Sequence, residues 1–192
     1  EDETMFASAN VVLIDRSLLP EIKVVKVGGL NIGVTSVLDP DVLETKPSDD
    51  ITVGDKAKEA ARVLASQRQD QLSFRVLMYY GKEENAKKLA QEVPGYDLLV
   101  VAGGYGEPTY QPEMIENTQT RMIVTGDKGM YAGLVGLYDR GELRYARVPL
   151  THEFKDAPEM RQIMKEYQDQ LRDIGLEGLG LLPPIPHASG FQ

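Results

Sequence analysis

Two turns that directly follow predicted strands hold the residues best placed for chemistry. The first is 78–81 (MYYG) and the second is 103–108 (GGYGEP). Ligands of open α/β sheets bind beyond the carboxyl ends of the strands, which makes both turns candidate binding positions. The second turn could offer backbone N–H groups to an anion, but 108–112 (PTYQP) does not predict the helix start that a phosphate-binding loop needs. A Gly-rich turn out of a buried strand is the favoured interpretation.

Other reactive side chains are sparse. The chain has two histidines, His152 and His187, and no cysteine, which excludes a His-rich metal site, a disulfide framework and thiolate ligands. No Gly-x-Ser-x-Gly motif occurs, so serine hydrolase chemistry is disfavoured. Residues 126–129 (GDKG) predict a turn. Acidic runs such as 39–41 (DPD) lack the spacing of a calcium loop and indicate solvated loop charge.

The composition indicates one globular domain and excludes several classes of protein. A net charge of -9 over 192 residues argues against a nucleic-acid binder. No apolar run approaches the ~18 residues of a membrane span, so we expect no membrane insertion. Residues 1–5 (EDETM) have neither the basic start nor the apolar run of a signal peptide.

Strand and helix patterns alternate through the middle of the chain and predict an α/β layer with a largely parallel sheet. Strands are expected at 72–80 and 97–102, lying parallel and adjacent. Helices near 55–69 and 82–93 should cover one face of that sheet. The polar stretch 39–54 predicts a surface loop.

The C-terminal part carries a hairpin pattern followed by a helix pattern. Asp156 predicts a helix cap, with Pro158 in the first turn, and the tail is rich in Gly and Pro. The sequence therefore predicts three segments: an α/β domain over 1–150, a C-terminal helix over 151–176 and a linker over 177–192.

The order of segments resembles a known family. The segments are SANVVLID, KVVKVGGLNIGVTSVLDP, AKEAARVL, RVLMYYGKEENAKKLAQEVPGYDLLVVAGGYGEP and RMIVTGDKGMYAGLVGLYDRGELRYARVPL. Together, over roughly residues 7–150, they resemble the second half of the calcineurin-like metallophosphoesterase domain of periplasmic 5'-nucleotidases. The resemblance implies an incomplete metallophosphoesterase-like layered sandwich, second half only, with a mixed, largely parallel sheet, a C-terminal hairpin and a helix.

The metal-binding histidines of that family have no counterpart here. The family carries Ser-His-x-Gly after one strand and Gly-Gly-His-x-His after the next, and this chain has tyrosine or glutamate at those histidine positions. The family's Asp-x-His, Gly-Asp-x-x-Asp and Gly-Asn-His-Glu motifs do not occur either. The resemblance therefore implies no catalytic residue and no metal ligand, but a vestigial ligand-binding site. Its residues are Tyr79, Gly81, Gly103, Gly104, Tyr105 and Glu107.

Three functions remain open at this point. The first is a catalytically degenerate domain, without cofactor, that serves binding or assembly in a larger exported, periplasmic protein. The second is half of an active nucleotidase or phosphoesterase that binds two divalent metals with an N-terminal half outside this chain. A nucleotide-binding or receiver-like module is third, but 27–30 (VGGL) lacks the Gly-x-Gly-x-x-G that it would need.

The resemblance also implies partners. A missing wing of the sandwich would leave one sheet face to be covered by the N-terminal half, a second copy or a C-terminal module. We expect no nucleic acid polymer among them.

Overall fold

The computed structural model describes residues 4–45, 47–66, 72–104, 107–138 and 141–178. Its strands are Val11–Leu13 (β1), Lys23–Val27 (β2), Leu30–Leu38 (β3), Ile51–Val53 (β4), Phe74–Tyr80 (β5), Leu98–Ala102 (β6), Glu113–Met114 (β7), Arg121–Val124 (β8), Tyr131–Leu137 (β9) and Leu143–Pro149 (β10). Its helices are Lys56–Ser66 (α1), Glu83–Glu92 (α2) and Pro158–Gly178 (α3).

The centre of the fold is a six-stranded sheet in the order β2-β3-β5-β6-β8-β7. Strands β3, β5, β6 and β8 run parallel, and the edge strands β2 and β7 are antiparallel to their neighbours. The predicted pairing of 72–80 with 97–102 is confirmed, with Val76 opposite Leu98. The mixed, largely parallel α/β architecture predicted from the sequence is therefore correct.

Helices α1 and α2 provide the apolar surface that covers one face of the sheet. Ala60 and Val63 are the buried residues of α1, and the buried residues of α2 are Ala86, Leu89 and Ala90. They belong to one hydrophobic cluster with residues that alternate along the strands, namely Val37, Leu77, Tyr79, Leu99, Val101 and Met122. Each large apolar side chain buried there contributes roughly 1.5–3 kcal/mol.

The opposite face of the same sheet is largely uncovered. Met78 and Tyr80, which alternate with the buried residues of β5, are 46% and 53% exposed. They line an open groove of about 440 Å³ together with Leu38, Val100 and Ala102 of the sheet and with residues of the N-terminal segment 4–19. The walls of this groove are almost wholly apolar. We call this surface the open face.

Two small antiparallel sheets accompany the large one. Strand β1 pairs with β4, and β9 pairs with β10. The predicted loop over 39–54 therefore contains a strand, and it also contains a short 3-10 turn at Pro40–Val42. The prediction missed β4 because three residues flanked by polar sequence acquire strand geometry only by pairing with the distant β1.

Helix α3 starts at Pro158, two residues after the predicted cap, and its backbone leaves helical geometry at Gly175. Its apolar stripe, which includes Met160, Ile163 and Tyr167, is exposed. The chain divides into two compact units between Leu150 and Thr151. Residues 179–192, which make up most of the predicted linker, lie outside the described residues. None of the described helices combines the length and apolarity that crossing a bilayer requires.

Two methionines on opposite faces of the sheet test this account of the core. Met122 is completely buried against the helices, whereas Met78 lies on the open face. We expect Met122→Ala to lower the free energy of unfolding of the chain by about 2–5 kcal/mol, because it leaves a cavity in a packed core. Met78→Ala should cost less than about 1 kcal/mol, because that side chain already contacts water. Urea denaturation of the two variants measures both values, and equal costs would contradict the assignment of one closed and one open face.

Candidate functional site

The carboxyl ends of the parallel strands meet at one edge of the sheet, where a small cavity of about 180 Å³ opens. Gly81, Gly104 and Glu107, three of the residues predicted from the sequence, line it. The other lining residues are Glu83, Val101, Thr109 and Val124.

The two Gly-containing turns pack against each other at this edge. The Gly81 N–H donates to the carbonyl of Ala102 at 2.9 Å. A Cβ on Gly103 would lie 3.2 Å from the Gly81 nitrogen, which is a tight contact, and the φ of 98° at Gly103 also favours glycine there. Tyr105 lies outside the described residues.

Tyr79 occupies a different environment from the other predicted residues. Its side chain is 1% exposed and lies on the helix-covered face of the sheet. The phenolic hydroxyl donates to Oδ2 of Asp39 at 2.5 Å. The structure therefore brings Gly81, Gly104 and Glu107 to one cavity and places the hydroxyl of Tyr79 on a neighbouring buried carboxylate.

Asp39 is the centre of a buried network that joins four elements. It directly follows β3 and is 0% exposed. Besides the Tyr79 hydroxyl of β5, it accepts from Nζ of Lys56 in α1 at 2.6 Å and from Nδ2 of Asn85 in α2 at 2.8 Å. The interpretation of 39–41 as solvated loop charge is wrong for Asp39, although Asp41 is exposed. The sequence feature that could have identified Asp39 is its position directly after a strand of the parallel sheet.

The hydrogen-bond network sets the charges of the Asp39 carboxyl group and the Tyr79 phenol. Burial alone would raise the pKa of Asp39, but the hydrogen bonds from Lys56, Tyr79 and Asn85 lower that pKa to about 2. Burial, and then the hydrogen bond to Asp39, raise the pKa of the Tyr79 phenol far above its ordinary value. At neutral pH Asp39 is therefore a carboxylate and Tyr79 an un-ionised phenol.

Glu107 is hydrogen-bonded to the β9–β10 hairpin through Arg147. Its Oε2 accepts from Arg147 and from the Tyr110 hydroxyl, both at 3.1 Å. The Arg147 guanidinium also lies 3.7 Å from the ring centre of Tyr110 and 4.8 Å from that of Tyr131. The hydrogen bond from Arg147 is the main reason that the pKa of Glu107 is lowered. Sequence reasoning did not identify Arg147, which is 40 positions away from Glu107.

The side chains at this edge of the sheet limit the metal chemistry that could take place there. Within the part of the chain that the structure describes, no three His, Cys, Asp or Glu side chains cluster as metal ligands would. Asp39 and Glu107 each accept hydrogen bonds from a cationic side chain. A divalent cation would have to displace a hydrogen-bond donor at Asp39, and at Glu107 it would be repelled by the adjacent charge of Arg147.

The pH dependence of stability provides a test of the Asp39 network. The folded pKa of about 2 lies below the ordinary value of 3.8, so the stabilisation is present above pH 4 and is lost as the pH falls towards 2. We expect Asp39→Asn to lower the free energy of unfolding by about 2 kcal/mol at pH 7, and the difference from the wild type to shrink below pH 4. Urea denaturation at several pH values measures this. Asp50→Asn, at an exposed carboxyl outside this network, is the control and should show no comparable loss of stability.

The two glycines of the cavity should differ in their tolerance of a side chain. A Cβ on Gly81 would lie 2.6 Å from Cβ of Asp39 and 2.8 Å from the Tyr79 ring, whereas a Cβ on Gly104 has no atom within 4 Å. We expect Gly81→Ala to cost about 1–3 kcal/mol of unfolding free energy through overpacking. Gly104→Ala should change it by less than ~0.5 kcal/mol. Equal denaturation midpoints for the two variants would contradict the close packing at Gly81.

No protein-family model and no curated protein sequence match the chain. Among solved structures, the sulfate thiohydrolase SoxB of Thermus thermophilus matches with a TM-score of 0.72 and 19% identity over 88% of this chain and 32% of that chain. A 5'-nucleotidase precursor from Thermus thermophilus matches with a TM-score of 0.64 and 20% identity over 88% of this chain and 38% of that chain.

The NAD nucleotidase of Haemophilus influenzae matches with a TM-score of 0.56 and 17% identity, over 87% of this chain and 40% of that chain. This chain thus spans between a third and two fifths of the structures that it matches. Such identities establish the fold alone. As its order of segments predicted, the chain has the fold of part of a 5'-nucleotidase-type chain of the calcineurin-like metallophosphoesterase family.

Proposed function

We propose that this chain is a catalytically degenerate nucleotidase-like domain that serves binding or assembly within a larger exported protein. The observation that carries the proposal is that the two described residues at the family's histidine positions are hydrogen-bonded to other side chains of the chain. Tyr79 donates to the buried Asp39, and Glu107 pairs with Arg147. Export is inferred from the family resemblance.

The geometry supports an inactive centre for an electrostatic reason. Hydrolysis of a phosphoester with two metals needs cations about 3.5–4 Å apart, so several anionic or imidazole ligands must converge. A neutral phenol is a poor ligand for a divalent cation, and the pKa of Tyr79 is raised further by burial. The two carboxylates that line the cavity, Glu83 and Glu107, are each paired with a cation of the chain, Lys87 and Arg147.

A role in assembly agrees with the other face of the sheet. The groove on the open face is more than twice as large as the cavity at the carboxyl edge, at about 440 Å³ against 180 Å³. Its apolar walls suit protein packing better than they suit a charged nucleotide. This chain matches only 32% and 38% of the length of two of those structures, which also favours a function within a longer polypeptide.

The proposal predicts the outcome of a metal and activity test. The purified chain is incubated with Mn²⁺ or Zn²⁺, desalted and analysed for bound metal, and then assayed with a nucleoside monophosphate. We expect less than one metal per chain and no phosphate release above the rate without protein, because the ligands that hold two cations are missing. The full product of the gene that encodes these residues is tested in parallel.

Two variants define the result that would contradict the proposal. Glu107→Ala removes one of the two carboxylates that line the cavity, the one at a family histidine position, and Glu142→Ala removes a different exposed glutamate that also pairs with an arginine. Two stoichiometric metals together with turnover that Glu107→Ala abolishes and Glu142→Ala preserves would show a working hydrolytic centre. That result would favour the alternative, half of an active metal-dependent phosphoesterase.

A further inference from the structure

We propose that β2, an edge strand of the six-stranded sheet, is a self-association edge. It pairs antiparallel with β2 of a second copy of this chain and joins the two sheets into one. Self-association at this edge does not depend on whether the centre at the carboxyl edge is active, so it goes beyond the proposed function. The partner is a copy of the same strand and not a different protein.

Strand β2 lies at one end of the sheet and is exposed on both of its faces. Among the described strands it pairs only with β3. Val24 is 50% exposed, and Val27, which points to the opposite face, is 56% exposed. Edge strands of monomers are commonly protected by proline, a bulge or a covering segment. Strand β2 contains no proline, and its register with β3 is continuous. An open edge of this composition favours pairing with another strand.

The turn of two glycines that follows β2 indicates which backbone groups of the strand face outward. Both glycines have a positive φ, 56° and 82°, as a two-residue hairpin turn of type I′ requires. The residues that flank such a turn, here Val27 and Leu30, bond to each other, and the direction of bonding alternates along the strand. Val24 and Lys26 therefore direct their backbone N–H and C=O groups away from β3, where a further strand can bond to them.

The order of residues in β2 suits antiparallel pairing with itself. A two-fold axis at Val25 sets Val24 of each copy opposite Lys26 of the other, and each such pair exchanges both N–H···O bonds. Lys23 then lies opposite Val27, so no lysine faces another lysine. An axis at Lys26 would set like charges opposite each other, and an axis at Val24 would leave Val27 beyond the partner strand. Only the axis at Val25 pairs all of β2 with all of its copy.

This self-complementarity favours a second copy over an unrelated strand. In a two-fold interface the same patch must match itself, a condition that an unrelated partner does not impose. At the axis, Val25 meets its own copy in a non-hydrogen-bonded pair, where side chains lie closest and valines pack well. The five residues of β2 are few beside the about 20–30 residues a side of a standard interface. We therefore expect a weak dimer, with a Kd in the micromolar range or above.

The oligomeric state of the full gene product tests the inference by sedimentation velocity over a range of protein concentrations. Val25→Lys and Val25→Glu each set like charges opposite each other at the axis. Val24→Pro removes an outward N–H and no bond to β3. Two controls place a lysine on other exposed apolar positions: Met78→Lys on the open face and Val135→Lys on β9. No metal or nucleotide is added, so the result is independent of the test for hydrolysis.

We expect a concentration-dependent dimer of the wild type, with a Kd that each Val25 variant and Val24→Pro raise at least about tenfold. An equimolar mixture of Val25→Lys and Val25→Glu should dimerise again, because opposite charges then face each other across the axis. Only folded variants can restore the dimer, so the mixture separates loss of pairing from loss of folding. Both controls should keep the wild-type Kd.

Three results would overturn the inference. The first is a wild-type sedimentation coefficient that stays constant up to about 1 mM protein, where even a weak dimer would form. The second is a dimer that Val25→Lys preserves while Met78→Lys or Val135→Lys dissociates it, which would place the interface on the open face or on the hairpin. The third is failure of the mixture to dimerise, which would exclude pairing about Val25.

Discussion

The requirement that a parallel sheet be covered on both faces governs this structure. The alternation of side chains along β5 sends Leu77 and Tyr79 to the helices and Met78 and Tyr80 to the opposite side. Because α1 and α2 are the connections between successive parallel strands, right-handed crossovers bring both of them to the same face. The helices therefore cover one face of the sheet, and the described residues leave much of the apolar surface of the other face exposed.

The buried Asp39 is the polar counterpart of that apolar core. A carboxylate without water is stable only when hydrogen bonds and an opposite charge replace its hydration. Lys56 supplies the charge, and Tyr79 supplies a hydrogen bond from a group that does not titrate near neutrality. A histidine at position 79 would gain or lose a proton near neutral pH and would bring a metal ligand to this carboxylate. Tyrosine instead gives a network whose charge is constant over the physiological range.

The features that the sequence predicted are local, and the features that it did not predict are long-range. The strands around 72–80 and 97–102 follow from periodicity within single segments, and their parallel pairing follows from the helix between them. The environment of Asp39 depends on partners 17, 40 and 46 positions away, none of which a local pattern could connect to it. The same is true of the pairing between Glu107 and Arg147. Tyr79 lies near the carboxyl end of β5 and Glu107 follows β6, but no local pattern predicts their hydrogen-bond partners.

These interactions change what the carboxyl edge can offer to a ligand. Asp39 is paired with Lys56, and Glu107 with Arg147, so the carboxylates at this edge are balanced by cations of the chain itself. A metal would have to displace a donor such as Lys56 from the buried carboxylate, and at Glu107 it would be repelled by an arginine stacked on two tyrosine rings. Binding of an apolar partner to the open face requires no such exchange, because Met78 and Tyr80 are about half exposed to water. These contacts agree with the proposal that a protein packs on the sheet and that no metal chemistry takes place at its edge.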